Sequence, residues 1–254
     1  MSRPARRICT GGAGCGYLRK VLTLGEELLL VALDPDKGVL PGSAAMQIGL
    51  NAATLAELAE AGCVRLRLPN GAPGVTVVAG AEEPIAGQPL LAQALEQARS
   101  MREGDRHPER AVKNWVAPSL LACLSSLRDR EILAWDRPNN GAGSYGRFRL
   151  LDTEAAASAR ARVERVAAGA DPSERDLNFA GIVHGLGLDT SHLYKGRRDR
   201  KKRAALAAAV ERQRFSVLLS RVLPQPSPGQ KFTFDSSRDL QMAVEMVKAW
   251  DRTP

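Results

Sequence analysis

The chain has 254 residues, a hydrophobic fraction of 44% in which alanine and leucine predominate, only 4% aromatics, and a formal net charge of +8. That length can bury a sizeable core, and abundant Ala and Leu with few β-branched runs favour helix over sheet. Four cysteines without a C-x-x-C pair argue against a disulfide-built secreted scaffold or a zinc ribbon, and the longest apolar run, Leu28–Leu33, is too short to span a bilayer. Arginine outnumbers lysine 28 to 8, as in a GC-rich bacterial genome.

Residues 1–20 hold Arg3, Arg6, Arg7, Arg19 and Lys20 with no acid, a charge of +5. They are expected to form a disordered basic leader. Its Cys9–Tyr17 stretch is glycine-rich rather than the apolar centre of a signal peptide, so a cytoplasmic location is expected. Thr23-x-x-Glu26 is a capping box that opens a helix through Leu33. Asp34–Gly38 makes a turn. Ser43 starts a helix to about Ala61, with Gly62 past its end and Met46, Leu50, Ala53 and Leu58 on its core face. Cys63–Leu68 alternates Val64, Leu66 and Leu68 against Arg65 and Arg67 as a half-buried strand, which returns over Val75–Val78. Helices are predicted over Pro89–Arg102 and Glu109–Arg130, with Pro118 starting a fresh helix in the second.

Leu133–Arg137 and Tyr145–Leu151 read as the two strands of a hairpin, joined by a glycine- and asparagine-rich loop. Alternation places Leu133, Trp135 and Arg137 on one face and Arg147 and Arg149 on a face with Tyr145. Phe148 and Leu150 take the opposite side of the return strand. A helix over Asp152–Ala168 ends at Gly169. Asp171-Pro172-Ser173-Glu174 predicts another helix start, with Asp171 as N-cap, Pro172 in the first turn and Glu174 as the capping carboxylate. A further helix is expected from Arg197 to Val222, then a Pro224–Gly229 linker and a short helix near Ser237–Trp250. The fold class is therefore mainly α, a compact multi-helix domain with one or two β-hairpins. It is organised as the leader 1–20, a helical domain 21–222, and a linker with a short C-terminal helix over 223–254. Residues 195–203 set seven bases against Asp199, a charge of +6, which leaves the rest of the chain at −3 once the leader is set aside.

Catalytic patterns are missing. Gly141-Ala142-Gly143-Ser144-Tyr145-Gly146 matches G-x-G-x-x-G literally, but a strand is predicted after it, and pyrophosphate binding needs a helix N-terminus there. His107, His184 and His192 sit in no zinc or nucleophile pattern; His184 reads as a core or helix-face residue. Glu26 is explained by capping, and Glu27 reads as a surface or packing carboxylate without a partner. No catalytic residue, metal ligand or cofactor is expected, and the chain reads as a non-enzyme.

The string Leu22-Thr23-Leu24-Gly25-Glu26-Glu27-Leu28-Leu29-Leu30, followed by Gly49-Leu50 and Ala56-Glu57-Leu58-Ala59, resembles the Golgi phosphoprotein 3 family. Asn114-Trp115, Ile132-Leu133, Leu150-Leu151-Asp152 and Arg200–Leu206 follow in the family's order. The resemblance implies a helical domain over 21–222 that acts as a peripheral membrane protein. It also implies phosphatidylinositol 4-phosphate binding beside a membrane-dipping hairpin. The family's pocket tryptophan aligns with Gly42, its helix arginine with Asn51, and two further arginines near Ala117 and Leu120, so none of those side chains is retained. The lipid-binding candidates are therefore Trp135, Arg137, Tyr145, Arg147 and Arg149 on the hairpin, with Lys195, Arg197 and Arg198 on the basic run. The expected partner is an anionic phospholipid or phosphoinositide headgroup on the inner face of a membrane. The alternatives are a soluble protein-interaction module with a protein partner and, more weakly, nucleic-acid binding through Lys195–Arg203.

Overall fold

Helix α1 (Leu24–Ala32) opens at the expected capping box. The Glu26 N–H donates to Thr23 Oγ1 at 3.2 Å and the Thr23 N–H donates back to Glu26 Oε2 at 2.8 Å. Every residue of α1 is buried, which marks it as a core helix rather than an amphipathic surface one. The computed structural model describes residues 21–41, 43–67, 74–78, 85–102, 106–115, 120–136 and 147–223. The expected leader, the hairpin loop, the Pro224–Gly229 linker and the Ser237–Trp250 helix lie outside them.

Helix α2 (Ser43–Glu60) lies along α1. A Cβ added at Gly49 would stand 2.5 Å from Leu186 Cδ1 and 3.1 Å from Leu28 Cδ2, so the absent side chain permits this close approach. Strands β1 (Val64–Arg67) and β2 (Gly74–Val77) form a first hairpin in the register Val64↔Val77. Helices α3 (Pro89–Ser100) and α4 (Pro108–Asn114) both carry proline in the first turn, where no amide donor is needed. Helix α5 (Leu120–Asp129) begins after the position expected of a proline restart. Strands β3 (Leu133–Asp136) and β4 (Arg147–Leu150) pair antiparallel as Leu133↔Leu150 and Trp135↔Phe148. Helix α6 (Thr153–Ala168) is capped by Asp152 and ended by Gly169 in the left-handed region. Helix α7 (Glu174–Gly185) packs on α2 and α6 and receives α8 (Arg200–Val210) and α9 (Arg214–Val222) on its other sides. The described residues thus form a mainly helical domain with two small hairpins.

Three expectations change. Helix α7 is capped by Ser173 rather than Asp171: the Asp176 N–H donates to Ser173 Oγ at 3.1 Å and the Ser173 N–H donates to Asp176 Oδ2 at 3.3 Å. A capping box needs its partner at the third helical position, which Asp176 occupies, while Asp171 stands before the helix at φ 44°. The stretch Arg197–Val222 is also not one helix. A 3-10 turn (Arg197–Asp199) leads into α8, and the chain breaks at residues 211–213 before α9. There Gln213 Oε1 caps the Phe215 N–H at 2.9 Å while its Nε2 donates to Asn178 Oδ1 of α7 at 2.5 Å. That bond turns α9 back against α7. Lastly, a π-helical turn over Asp189–Leu193 follows α7, where no regular element was expected. Among the described residues no helix is long and apolar enough to cross a membrane.

Candidate functional site

The second hairpin presents two different faces because its side chains alternate. Leu133, Trp135, Phe148 and Leu150 turn toward the core, with Phe148 buried and the Trp135 and Phe148 rings stacked 5.9 Å apart. Arg147 and Arg149 are exposed on the opposite face of β4. Of the hairpin candidates, Trp135 is therefore half-buried against the core, and Arg147 and Arg149 point outward. Arg137 and Tyr145 lie outside the described residues. The glycine string 141–146 also lies outside them, and a strand, β4, begins at the next residue.

The far edge of β4 is covered by the turn between α1 and α2. The Phe148 N–H donates to Gly38 O at 2.7 Å. Gly38 has φ +65°, and a Cβ there would lie 2.4 Å from Phe148 O, so glycine is required both by its backbone and by this contact. The turn is closed by Asp34, whose Oδ1 accepts from the Asp36 and Lys37 N–H groups at 3.0 and 3.1 Å. The Lys37 amide, more than any other group, holds the Asp34 carboxyl below its ordinary range. Its other oxygen stands 4.0 Å from Lys195 Nζ. One turn thus bridges the hairpin and the start of the basic run, two segments that are distant in sequence.

The run itself divides by role. Arg203 donates to the Tyr194 carbonyl at 2.7 Å, and Lys202 lies 3.9 Å from Glu164 and 5.8 Å above the Tyr194 ring. Those two hold the segment to α6 and to the π-helical turn. Lys195, Arg197 and Arg198 are exposed. Lys37, Arg147 and Arg149 are exposed as well.

Two of the positions that the resemblance aligns with a headgroup pocket, Asn51 and Leu120, lie in the interior. Asn51 is fully buried, and its Nδ2 donates to the Val112 carbonyl at 2.8 Å and to the Trp115 carbonyl. Gln47 Nε2 donates to Asn51 Oδ1 at 2.9 Å, while Gln47 Oε1 accepts from the Leu120 N–H at 3.1 Å. This pair of amides joins α2 to the end of α4 and the start of α5. Leu120 is buried as well. Gly42 and Ala117 lie outside the described residues.

Sequence reasoning missed a buried ionic network. Glu27 is not unpartnered: it is buried, with Arg162 Nε 3.0 Å from its Oε2. Arg162 also reaches Asp176 at 2.9 Å, and Arg165 meets the same carboxylate at 3.1 Å. Glu26 accepts from Ser126 Oγ at 2.6 Å and from Arg130 at 3.2 Å, and Glu57 accepts from Arg175 at 2.8 Å. Burial pushes Glu27 above the usual carboxylate range and Glu57 up to about 7 against the pull of their arginines. The available signal was the acids' spacing, since Glu26, Glu27 and Glu57 lie inside otherwise apolar helical runs. The network ties α1, α2, α5, α6 and α7 together.

A groove of about 380 Å³ between α7, α8 and α9 is lined by His184 and Glu211 among small side chains. His184 Nδ1 lies 2.9 Å from Oδ2 of buried Asp189, which raises its pKa. Among the described residues no group of three His, Cys, Asp or Glu side chains is placed to hold a metal ion. The family model described as Golgi phosphoprotein 3 (GPP34) matches residues 24–224. No curated protein matches the chain significantly.

Proposed function

The chain belongs to the Golgi phosphoprotein 3 family, and from that premise we propose that it is a non-catalytic peripheral membrane protein that binds anionic phospholipid from the cytoplasmic side. The observation carrying this reading is the surface joined by the Asp34–Gly38 turn. On it, exposed Arg147 and Arg149 of β4 lie on one side and exposed Lys195, Arg197 and Arg198 on the other. Each basic side chain held near an anionic membrane contributes on the order of 1 kcal/mol, so five acting together are enough for recruitment. Guanidinium groups also engage phosphate oxygens in pairs.

The recognition is of surface charge rather than of one phosphoinositide. Asn51 and Leu120 are buried and uncharged where the family's pocket would need arginines, and Asn51 is already committed to two backbone carbonyls. The His184–Asp189 pair fits a structural role, tying the end of α7 to the π-helical turn.

Co-flotation with vesicles of rising phosphatidylglycerol content at low salt tests the reading. Recruitment is expected to rise steeply with anionic lipid and to fall as salt is added. Phosphatidylinositol 4-phosphate is expected to compete no better than other anionic lipids of equal charge. Failure to float at any anionic content would overturn the proposal.

A further inference from the structure

We propose that the chain's own C-terminal segment, residues 237–250, docks as a helix on the groove and the exposed alanine face beside it. The inference goes beyond the membrane reading and does not depend on it. Exposed Ala204, Ala205, Ala208 and Ala209 share one side of α8, because helical residues one and four apart lie close together. Ala208 also lines the groove of about 380 Å³, with Ala207 on the same helix and Val217 on α9. Face and groove are therefore one continuous surface of small side chains. A second helix packs closely on such a surface by setting larger side chains against it.

The groove also holds polar groups placed to anchor an occupant. Ser216 lines it and is only 8% exposed, without a hydrogen-bond partner among the described residues. His184 commits Nδ1 to Asp189, which leaves Nε2 as the ring nitrogen for a partner.

The occupant follows from where the chain goes. Helix α9 forms one wall of the groove, and the chain leaves it at Leu223 with residues 224–254 still to come. The family match stops at residue 224, so the segment lies beyond the matched domain. Leu240, Val244, Val247 and Trp250 recur at helical spacing, which predicts an apolar stripe along 237–250. Residues 224–236 span up to about 40 Å when extended, ample to turn back along α9. Charge agrees. Residues 235–251 hold Asp235, Asp239, Glu245 and Asp251 against Arg238 and Lys248, a charge of −2 in a chain of +8. The receiving surface exposes Arg200, Lys201, Arg212 and Arg214 against Glu211, while Lys202 stands 3.9 Å from Glu164. A tethered segment meets its groove at an effective concentration on the order of mM, which favours it over a second copy at lower concentration.

Hydrogen exchange on the full chain, read by mass spectrometry over residues 237–250, tests the docking. Wild-type amides there are expected to exchange about tenfold more slowly than those of a free peptide of the same sequence. Ala205→Glu/Ala208→Glu places two carboxylates on the exposed face and should remove that protection while α1 and α7 keep theirs. Val244→Glu/Val247→Glu should remove it from the other side. That second pair lies beyond the matched domain, so its readout stands whether or not the first variant folds. Protection lost in both variants and independent of protein concentration is the expected result. Fast exchange of 237–250 in wild type overturns the docking, as does protection that survives Val244→Glu/Val247→Glu or a folded Ala205→Glu/Ala208→Glu. Protection that grows with protein concentration also overturns it and assigns the surface to a second copy.

Discussion

Glu57 stands in α2 with 6% of its surface exposed, Arg175 Nη2 2.8 Å from one carboxylate oxygen and the Leu24 N–H 2.9 Å from the other. Burial outweighs both partners and raises its pKa to about 7; Glu27 is raised by the same cause, and His184 is raised by its bond to Asp189. A group whose folded pKa lies above its unfolded value contributes stability that is complete below the unfolded pKa. That contribution is lost as pH rises through the folded pKa. Asp34 and Asp176 are lowered, so their contributions change only in more acidic solution, while His192, lowered chiefly by burial, opposes the three raised groups over the acidic half of the range. Thermal unfolding is therefore expected to show Tm falling as pH rises from about 5 to about 8, and Glu57→Gln should flatten the fall near neutrality. A wild-type Tm constant over that range would contradict the assignment. At this scale legibility followed sequence distance. The Thr23–Glu26 box was readable because both partners lie within four residues. Glu27 was misread because Arg162 comes from α6, and the bonds of Asn51 were not legible because its partners are backbone carbonyls of α4 and the segment after it.

Helix ends and turns were legible at most places where a local motif decides them, the exception being α7, whose Ser173–Asp176 box lies two residues past the expected Asp171. Asp152, Gly169 and the Asp34–Gly38 turn all act as their chemistry predicts. The break at residues 211–213 has no glycine or proline to announce it, since the Gln213–Asn178 bond that organises it is tertiary. The π-helical turn is equally silent in sequence, resting on the Tyr194 N–H donating to Asp189 O at 2.7 Å. Apolar alternation did foretell which hairpin residues share a face, and the Trp135↔Phe148 register agrees with it, but Trp135, a lipid-binding candidate in the sequence, packs against the core instead. Gly38 is the point at which the turn depends on one residue. Gly38→Ala adds a Cβ to a left-handed backbone, 2.4 Å from Phe148 O. Its cost is expected to be about 2 kcal/mol, read as a lower midpoint in urea, with weaker vesicle recruitment as the turn detaches from β4. An unchanged midpoint would mean that the turn does not depend on this contact.

Across the whole molecule, the net charge of +8 concealed an arrangement that only the fold reveals. The sequence already separated a basic run from a nearly balanced body, and its hairpin already carried arginines. Nothing in it placed Lys195 beside Asp34 or the Gly38 carbonyl against β4. The same fold carries the aligned pocket positions Asn51 and Leu120 into the interior, so the membrane affinity proposed for this chain would rest on distributed surface charge. The most direct measurement is co-flotation of wild type and Arg147→Glu/Arg149→Glu on vesicles with about one-third phosphatidylglycerol. Replacing two cations with two anions at a surface worth about 1 kcal/mol per base should reduce partitioning at least tenfold while Tm stays close to wild type. Equal partitioning of the two proteins would contradict the account.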